Sequence, residues 1–428
     1  MLPPKADGMI KQQPLTLLTP VKPEKLQELN ALLEKIKFSL QTGTDTEFKK
    51  AKTIHYARWV IVSRDSFRDP PAVDAPVRLI LSTNFDGNEE DHLTELATEM
   101  SLYIDDVYSC CVDYPEQHER NSRSRVAYLK KWRIDTSAFF VGAPWRSVQQ
   151  IYDEDALRDH IWEFINKNKW DGKPAKEIHQ AIRKDVESRS TFSWSKEKAP
   201  VKKVEWHFLI PYFLLVLVIL PFIVLWALYI FLIHEQTDKN GTLTLSLLSE
   251  DKIRELEKDE DLFPQNQFTQ IAVMKPGLMR KLNFKIWMIR TRVLAGHMFV
   301  KGKLLNIPTI HFARWVLFDN DKHVLFFSNF DGSWQQYLGD FIDQSGWGLS
   351  GIFSNTVNFP KTTFMVTGGA YDEEHFLAWS RSTQVPTQVW YCAYPHLSIK
   401  NINNNTAIRN DLYKNLNENE ARLFLKRF

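Results

Sequence analysis

The chain has 428 residues, enough for two or three domains with cores of their own. Its 54 basic and 52 acidic side chains leave a formal charge of +2, which excludes a nucleic-acid partner held by bulk charge. Three cysteines, the adjacent Cys110 and Cys111 and the distant Cys392, supply neither a disulfide framework nor a zinc spacing.

The opening Met1–Asp7 lacks the apolar core of a signal peptide, so export by a cleaved leader is not expected. Leu15 to Val21 reads as a strand, and Lys22-Pro23 opens a helix over Glu24 to Ile36, with Leu26, Leu29, Leu32, Leu33 and Ile36 on one stripe. Ile54 to Val62, carrying Ile54-His55-Tyr56-Ala57-Arg58-Trp59-Val60, and Val77 to Ser82 are rich in β-branched residues and read as strands. Asn84-Phe85-Asp86-Gly87 follows, then a helix over Glu89 to Met100 and a last strand over Ala138 to Val141.

Beyond a helical, basic linker at 166–205 lies an apolar block at 206–234, whose only side chain of changeable charge before Ile233 is His207. That length crosses a hydrocarbon core of roughly 30 Å. Lys196, Lys198, Lys202 and Lys203 precede the block, whereas Glu235, Asp238 and Glu250 follow it, so the N-terminal flank is expected on the cytoplasmic side. Pro211 and Pro221 interrupt the helical pattern, leaving a single span and a hairpin that returns to the same side as alternatives. The acidic linker 235–264 contains the charged stretch Glu250 to Asp261, expected as a short solvated helix, and the weak glycosylation pattern Asn240-Gly241-Thr242.

From 265 onward the first 165 residues are restated. Gln267 to Pro276 repeats Pro14 to Pro23, and Ile310-His311-Phe312-Ala313-Arg314-Trp315-Val316 repeats the first strand motif. Asn329-Phe330-Asp331-Gly332 repeats Asn84 to Gly87, and Tyr391 to Pro395 repeats Phe140 to Pro144. Between Lys275 and Lys303 basic residues recur without an acidic one, among apolar residues such as Leu278, Leu282, Ile286 and Ile289. A helix there, with Arg280, Lys281, Lys285, Arg290 and Arg292, suits the headgroup layer of an anionic leaflet. Asp319-Asn320-Asp321-Lys322 reads as a hairpin loop, Trp334 to Ile342 as a helix, and Thr387 to Ala393 as the closing strand.

Each copy therefore follows strand, helix, strand, strand, helix, strand, the ferredoxin-like order. The fold class expected is α+β: two ferredoxin-like βαββαβ units, 1–165 and 265–428, forming a pseudo-dimeric α/β barrel around a membrane-embedded segment. In this the chain resembles the dimeric α/β barrel superfamily, whose haem-binding branch includes dye-decolourising peroxidases and chlorite dismutases. Asn329-Phe330-Asp331-Gly332 is similar to the Gly-x-x-Asp-Gly signature of the peroxidases, with Ser328, or Thr83 in the first copy, where that signature has its leading glycine. The resemblance implies haem as cofactor, with Asp331 serving its distal face.

Strand alternation places His311, Ala313 and Trp315 on one face and Phe312, Arg314 and Val316 on the other, with His311 beside Asp331. A histidine next to a carboxylate can shuttle a proton or ligate haem. The competing account is structural: Asp-Gly turns the chain and caps the next helix while the arginine pairs with the aspartate. The candidate site is His311, Arg314 and Asp331, with His55, Arg58 and Asp86 as the first-copy equivalents. Trp347, Phe353, Phe359, Phe364, Trp379, Trp390 and Tyr391, with Gly346, Gly348 and Gly351 leaving room, describe either a pocket for an apolar small molecule or a core. Asn401 to Asn405 is expected as a loop capping a helix over Thr406 to Tyr413. Two functional readings follow: membrane-anchored binding and oxidative processing of an apolar or haem-like ligand, or a non-catalytic membrane scaffold.

Overall fold

The structure, a computed structural model, describes residues 10–67, 76–239, 243–300 and 302–428. Met1–Asp7, the Asn240-Gly241-Thr242 pattern and Lys301 lie outside the described residues. In the first copy Gln12–Pro20 (β1), Leu26–Gln41 (α1), Ile54–Val62 (β2) and Arg78–Asp86 (β3) follow the expected order. The expected second helix is three: Glu89–Thr98 (α2), Ser101–Tyr108 (α3) and Ser122–Lys131 (α4), before Thr136–Val141 (β4). Val148–Lys167 (α5), Ala175–Glu187 (α6), Trp206–Val218 (α7), Leu220–Tyr229 (α8) and Glu250–Glu257 (α9) span the linkers and the apolar block. The second copy runs Gln265–Val273 (β5), Leu278–His297 (α10), Ile310–Phe318 (β6), His323–Asp331 (β7) and Trp334–Phe353 (α11). It ends with the small ladder Thr362–Thr363 (β8) and Thr367–Gly368 (β9), then Glu373–Thr383 (α12), Val389–Cys392 (β10), Ile399–Leu412 (α13) and Glu418–Leu425 (α14).

The fold is α+β with antiparallel sheets, and its departure from expectation is in the closing strands. One sheet has the order β1-β3-β2-β10 and the other β4-β6-β7-β5, so each copy lends its last strand to the other's sheet. β10 pairs with β2 through Trp390 opposite Arg58, and β4 pairs with β6 through Phe139 opposite Arg314. Among the described residues no closed barrel forms. At each seam the ladder thins to a single bridge, Leu17 with Arg133 and Gln270 with Gln384. At the first seam the physical reason lies in missing donors. Pro14 and Pro20 lie in β1 on the edge from which Leu18 donates to the Trp132 carbonyl, so continuous pairing along that edge is blocked.

Helices cover the outer faces. α1 buries Leu29, Leu33 and Ile36 on the first sheet, the stripe that its sequence spacing predicts. α10, α11 and α12 cover the second sheet over Phe284, Trp315, Phe326 and Trp379. Between the sheets Val60, Ile80, Ile271, Val316, Leu325 and Phe327 form one apolar layer, and Tyr56, Phe312 and Tyr394 another.

Three further local expectations change. Asn401 to Asn405 lies within α13, whose cap is Ser398 accepting from the Asn401 N–H; an asparagine run can be helical when buried contacts such as those of Ile399, Ile402 and Ile408 override its weak propensity. α11 extends eleven residues past Ile342 to Phe353, because Leu349, Ile352 and Phe353 continue the buried stripe. The register of β6 shifts between Ile310 and Phe312, so His311 is the extra residue of a bulge. Strict alternation fails there, and the His311 ring turns towards Tyr56 and Tyr394, 5.6 and 6.2 Å away.

The apolar block lies along α10, antiparallel to it. Glu205 and Phe208 meet His297 at one end, Trp226 donates to Asn283 at 3.1 Å, and Asp238 binds Arg280 at 2.8 Å at the other. Both flanks of the block are thus tied to one helix of the second copy. From Phe208 to Trp226 the arm covers about 27 Å of helix, against about 21 Å from His297 to Asn283, so it bows away from α10 around the break at Ile219. Leu220–Thr237 is the one described helical stretch long and apolar enough to cross a membrane.

Candidate functional site

The two copies of the His-x-Ala-Arg-Trp motif converge between the sheets, and each residue type has a distinct task there. Asp86 accepts from His55 Nε2 at 2.9 Å through Oδ1 and from the Val148 N–H at 2.8 Å through Oδ2. Asp331 repeats this with His311 at 2.7 Å and Ile399 at 2.8 Å. Val148 and Ile399 are the first residues of α5 and α13, so each carboxylate sits where the helix dipole favours negative charge. The aspartates thereby fasten the helix that follows each exchanged strand.

The arginines do something that the sequence did not suggest. Neither pairs with its aspartate. Arg58 crosses to the opposite sheet, donating to the Phe268 carbonyl at 2.9 Å, the Ser328 carbonyl at 3.0 Å and Asn329 Oδ1 at 2.5 Å. Arg314 crosses the other way, donating to the Leu15 carbonyl at 2.6 Å, the Thr83 carbonyl and Asn84 Oδ1. Each Arg of one motif therefore grips the Asn of the other copy's Asn-Phe-Asp-Gly. Both guanidinium groups lie over the Phe327 ring, at 5.3 and 5.9 Å, with carbonyl dipoles rather than carboxylates as partners. Burial pulls Arg58 down to about 9, and burial together with the field of Arg58 pulls Arg314 well below the ordinary arginine value.

The copies differ at the histidines. His55 Nδ1 bonds the Tyr394 hydroxyl at 2.8 Å, whereas His311 Nδ1 is buried without a partner. The residue at the place of Tyr394 in the first copy is Ala143, which has no hydroxyl to offer. His311 is only 1% exposed.

These groups do not fit a haem. His311 Nε2 is committed to Asp331, Nδ1 faces aromatic ring edges, and His311, Arg314 and Asp331 line none of the clefts described here. A planar cofactor needs a slot of several hundred Å³. Among the described residues no cluster of His, Cys, Asp and Glu could hold a metal ion.

The aromatic residues of the second copy divide between core and cleft. Phe353, Phe359 and Trp379 pack on one another with centroids 4.9 to 5.1 Å apart in the two closest pairs, an ordinary core. A Cβ at Gly351 would lie 2.1 Å from the Trp287 ring, so the room left there is already filled; Tyr371 fills that at Gly346. Trp390 and Tyr391 instead line a cleft of about 280 Å³ beside the end of α1, together with Phe263 and Gln265.

The basic residues of α10 are mostly spoken for. Arg280 is buried, bonding Asp238 and the Ser354 carbonyl, so it is not a headgroup contact. Lys281 donates to the Asn320 carbonyl, Lys285 pairs with Asp321 at 2.5 Å, and Arg292 donates to the Ser137 carbonyl. Arg290 stands over both Trp287 and Trp347, at 4.8 and 4.5 Å. Beside the exposed Lys285 and Arg292, α10 carries an outward apolar stripe of Leu278, Leu282, Ile286 and Ile289. No family model, no curated protein and no solved structure matches this chain.

Proposed function

We propose that this protein is a membrane-associated scaffold in which two interlocked units are carried on one leaflet by the apolar arm Trp206–His234. The observation that carries this reading is exposure. Val218 and Phe222 are 73% and 72% exposed, and Leu214, Leu215, Leu217 and Leu225 join them on an arm held at both ends. Soluble proteins rarely present so large an apolar surface to water. The outward stripe of α10 extends it, and Phe364 stacks on Phe231 at 4.3 Å near the far end of the arm.

An arm whose two flanks dock on one helix enters and leaves the bilayer on the same side. A single span with the copies on opposite faces would require the exchanged strands β4 and β10 to be withdrawn. The lysine-rich segment before the arm favours the cytoplasmic face. The His-Arg-Asp motif then serves the interlock, and its duplication follows from the need to hold each unit from the other. In architecture the two sheets read as an opened, strand-exchanged relative of an α/β barrel, a reading supported by the single bridges at the two seams.

The aromatic cleft at Trp390 and Tyr391 supports a second role, reception of an apolar small molecule. Flotation with phosphatidylcholine vesicles tests the principal reading. The full chain should rise with the vesicles, and a variant with Leu214→Asp, Leu217→Asp and Leu225→Asp should not, each aspartate costing about 2.5 to 3.5 kcal/mol at bilayer depth. A wild-type chain that stays at the bottom of the gradient would refute the reading.

A further inference from the structure

Two clefts meet at the root of the apolar arm. One, of about 600 Å³, lies between Val201, Lys203, Trp206, Val300 and Arg146. The other, of about 280 Å³, runs beneath the end of α10 along β4. They share Lys202 and Val300, and among the described residues they present Lys11, Arg146, Lys202, Lys203 and Arg292 but no acidic side chain. Arg292 donates to the Ser137 carbonyl and Lys202 to that of Gly296, so these two charges are positioned by carbonyls, whereas Arg146, which donates to the Pro144 carbonyl and to Thr406, lies in the field of Glu154 behind the cleft wall. Glu205, whose field reaches Lys202, is committed to His297.

The internal duplication supplies a control. Arg292, Ala295 and Gly296 line the smaller cleft at the same spacing as Lys37, Leu40 and Gln41 line the cleft beside β10. In that first-copy cleft Lys37 pairs with Asp259 at 2.5 Å, and Asp45 is a further acidic wall. One fold position is therefore charge-balanced in the first copy and purely cationic in the second. The cationic version is the one that opens at the arm, beside Trp206, which is 57% exposed.

We infer that the joined clefts bind a phosphate ester, and specifically the headgroup of an anionic phospholipid whose acyl chains continue along the arm from Trp206 and Phe208. Phosphate oxygens accept well from lysine and arginine, and the apolar wall running on from the cleft distinguishes a lipid from a free phosphate. The inference rests on the membrane reading above and sharpens it from any bilayer to an anionic one.

Co-sedimentation of the full chain with vesicles of phosphatidylcholine, alone or with a minor fraction of phosphatidate, provides the test. The cleft variant Lys202→Gln with Lys203→Gln is compared with Lys176→Gln and Lys184→Gln, two exposed lysines of α6 that line neither cleft. Phosphatidate should strengthen binding of the wild type and the α6 variant by about tenfold or more, and that of the cleft variant little, since each lysine near an anionic surface contributes a several-fold factor. Binding to phosphatidylcholine alone should be equal in all three. A phosphatidate gain kept in the cleft variant, or lost equally in the α6 variant, overturns the site in favour of diffuse surface charge. Displacement of that gain by millimolar inorganic phosphate overturns the lipid assignment in favour of a free anion. Should no vesicle of any composition bind, the membrane reading fails, and thermal shift with short-chain phosphatidate still decides the site: a shift in the wild type absent from the cleft variant upholds it, and no shift in either removes it.

Discussion

Arg58 in β2 donates to the Asn329 side chain in β7 across 2.5 Å, and Arg314 makes the equivalent bond to Asn84. With the exchanged strands, this pair of crossed contacts makes each unit a part of the other. A buried cation met only by carbonyl, amide and hydroxyl oxygens depends on each of them, because a lost acceptor leaves charge-bearing N–H groups short of partners. Asn329→Ala and Asn84→Ala are each expected to lower unfolding stability by about 2 kcal/mol in urea titrations. Unchanged midpoints would show that the crossed arginines do not hold the interlock.

Asp86 and Asp331 each join a histidine to the start of a helix. Replacing either with alanine should cost about 3 kcal/mol, combining a lost helix-terminal contact with a buried histidine left unpaired. The extra Tyr394 bond makes the copies unequal, so His55→Ala should destabilise by about 1 kcal/mol more than His311→Ala. Equal losses would mean that the Tyr394 contact contributes nothing.

Alkaline pH should unfold the protein. Burial pushes Tyr103, Tyr152 and the Cys392 thiol up to about 12, and Tyr56 and Tyr394 well above the ordinary tyrosine value. The unfolded chain releases these protons near pH 9 to 10, whereas the folded chain keeps them, so the stabilisation is whole below about pH 9 and declines towards pH 12. Arg58 and Arg314 work in the opposite sense, the burial penalty of Arg58 being relieved above about 9, but they are outnumbered by the five acids whose protons burial retains. Circular dichroism melts from pH 8 to 12 should show a falling midpoint; a rising one would contradict the sign.

Cysteines introduced at Lys169, before the arm, and Leu423, after it, both exposed, report the side on which the chain lies before and after the apolar block. A membrane-impermeant maleimide added outside sealed vesicles carrying the protein should label both or neither. Labelling of one alone would place the copies on opposite faces and remove the returning arm.

Added haem should give no Soret band above that of free haem, since the Nε2 of His311 is committed to Asp331 and the residue, 1% exposed, lines none of the four clefts formed by the described residues. A stoichiometric band lost in His311→Ala would reinstate the peroxidase-like reading.

The sequence alone determined the strands of the two sheets and the helices α1 and α10, because these follow periods of 2 and 3.6 that need no partner to be read, whereas the division of the second helix into three and the helical Asn401 to Asn405 run were not legible there. β2 runs over Ile54–Val62 as expected, and Asp319, Asn320 and Asp321 take the left-handed conformations that their hairpin demands. His311 beside Asp331 was also legible, the hairpin register bringing them together. Only the tertiary structure decided where β4 and β10 pair, since an edge strand presents the same donors and acceptors to either sheet. It likewise moved Arg58 and Arg314 from their own aspartates to the other copy: a long side chain on an inward face reaches whatever lies opposite, and one chain's spacing does not record what lies opposite. The bulge at His311, the use of Arg280 by Asp238 and the return of the apolar arm to α10 are of the same kind, set by contacts between residues far apart in sequence.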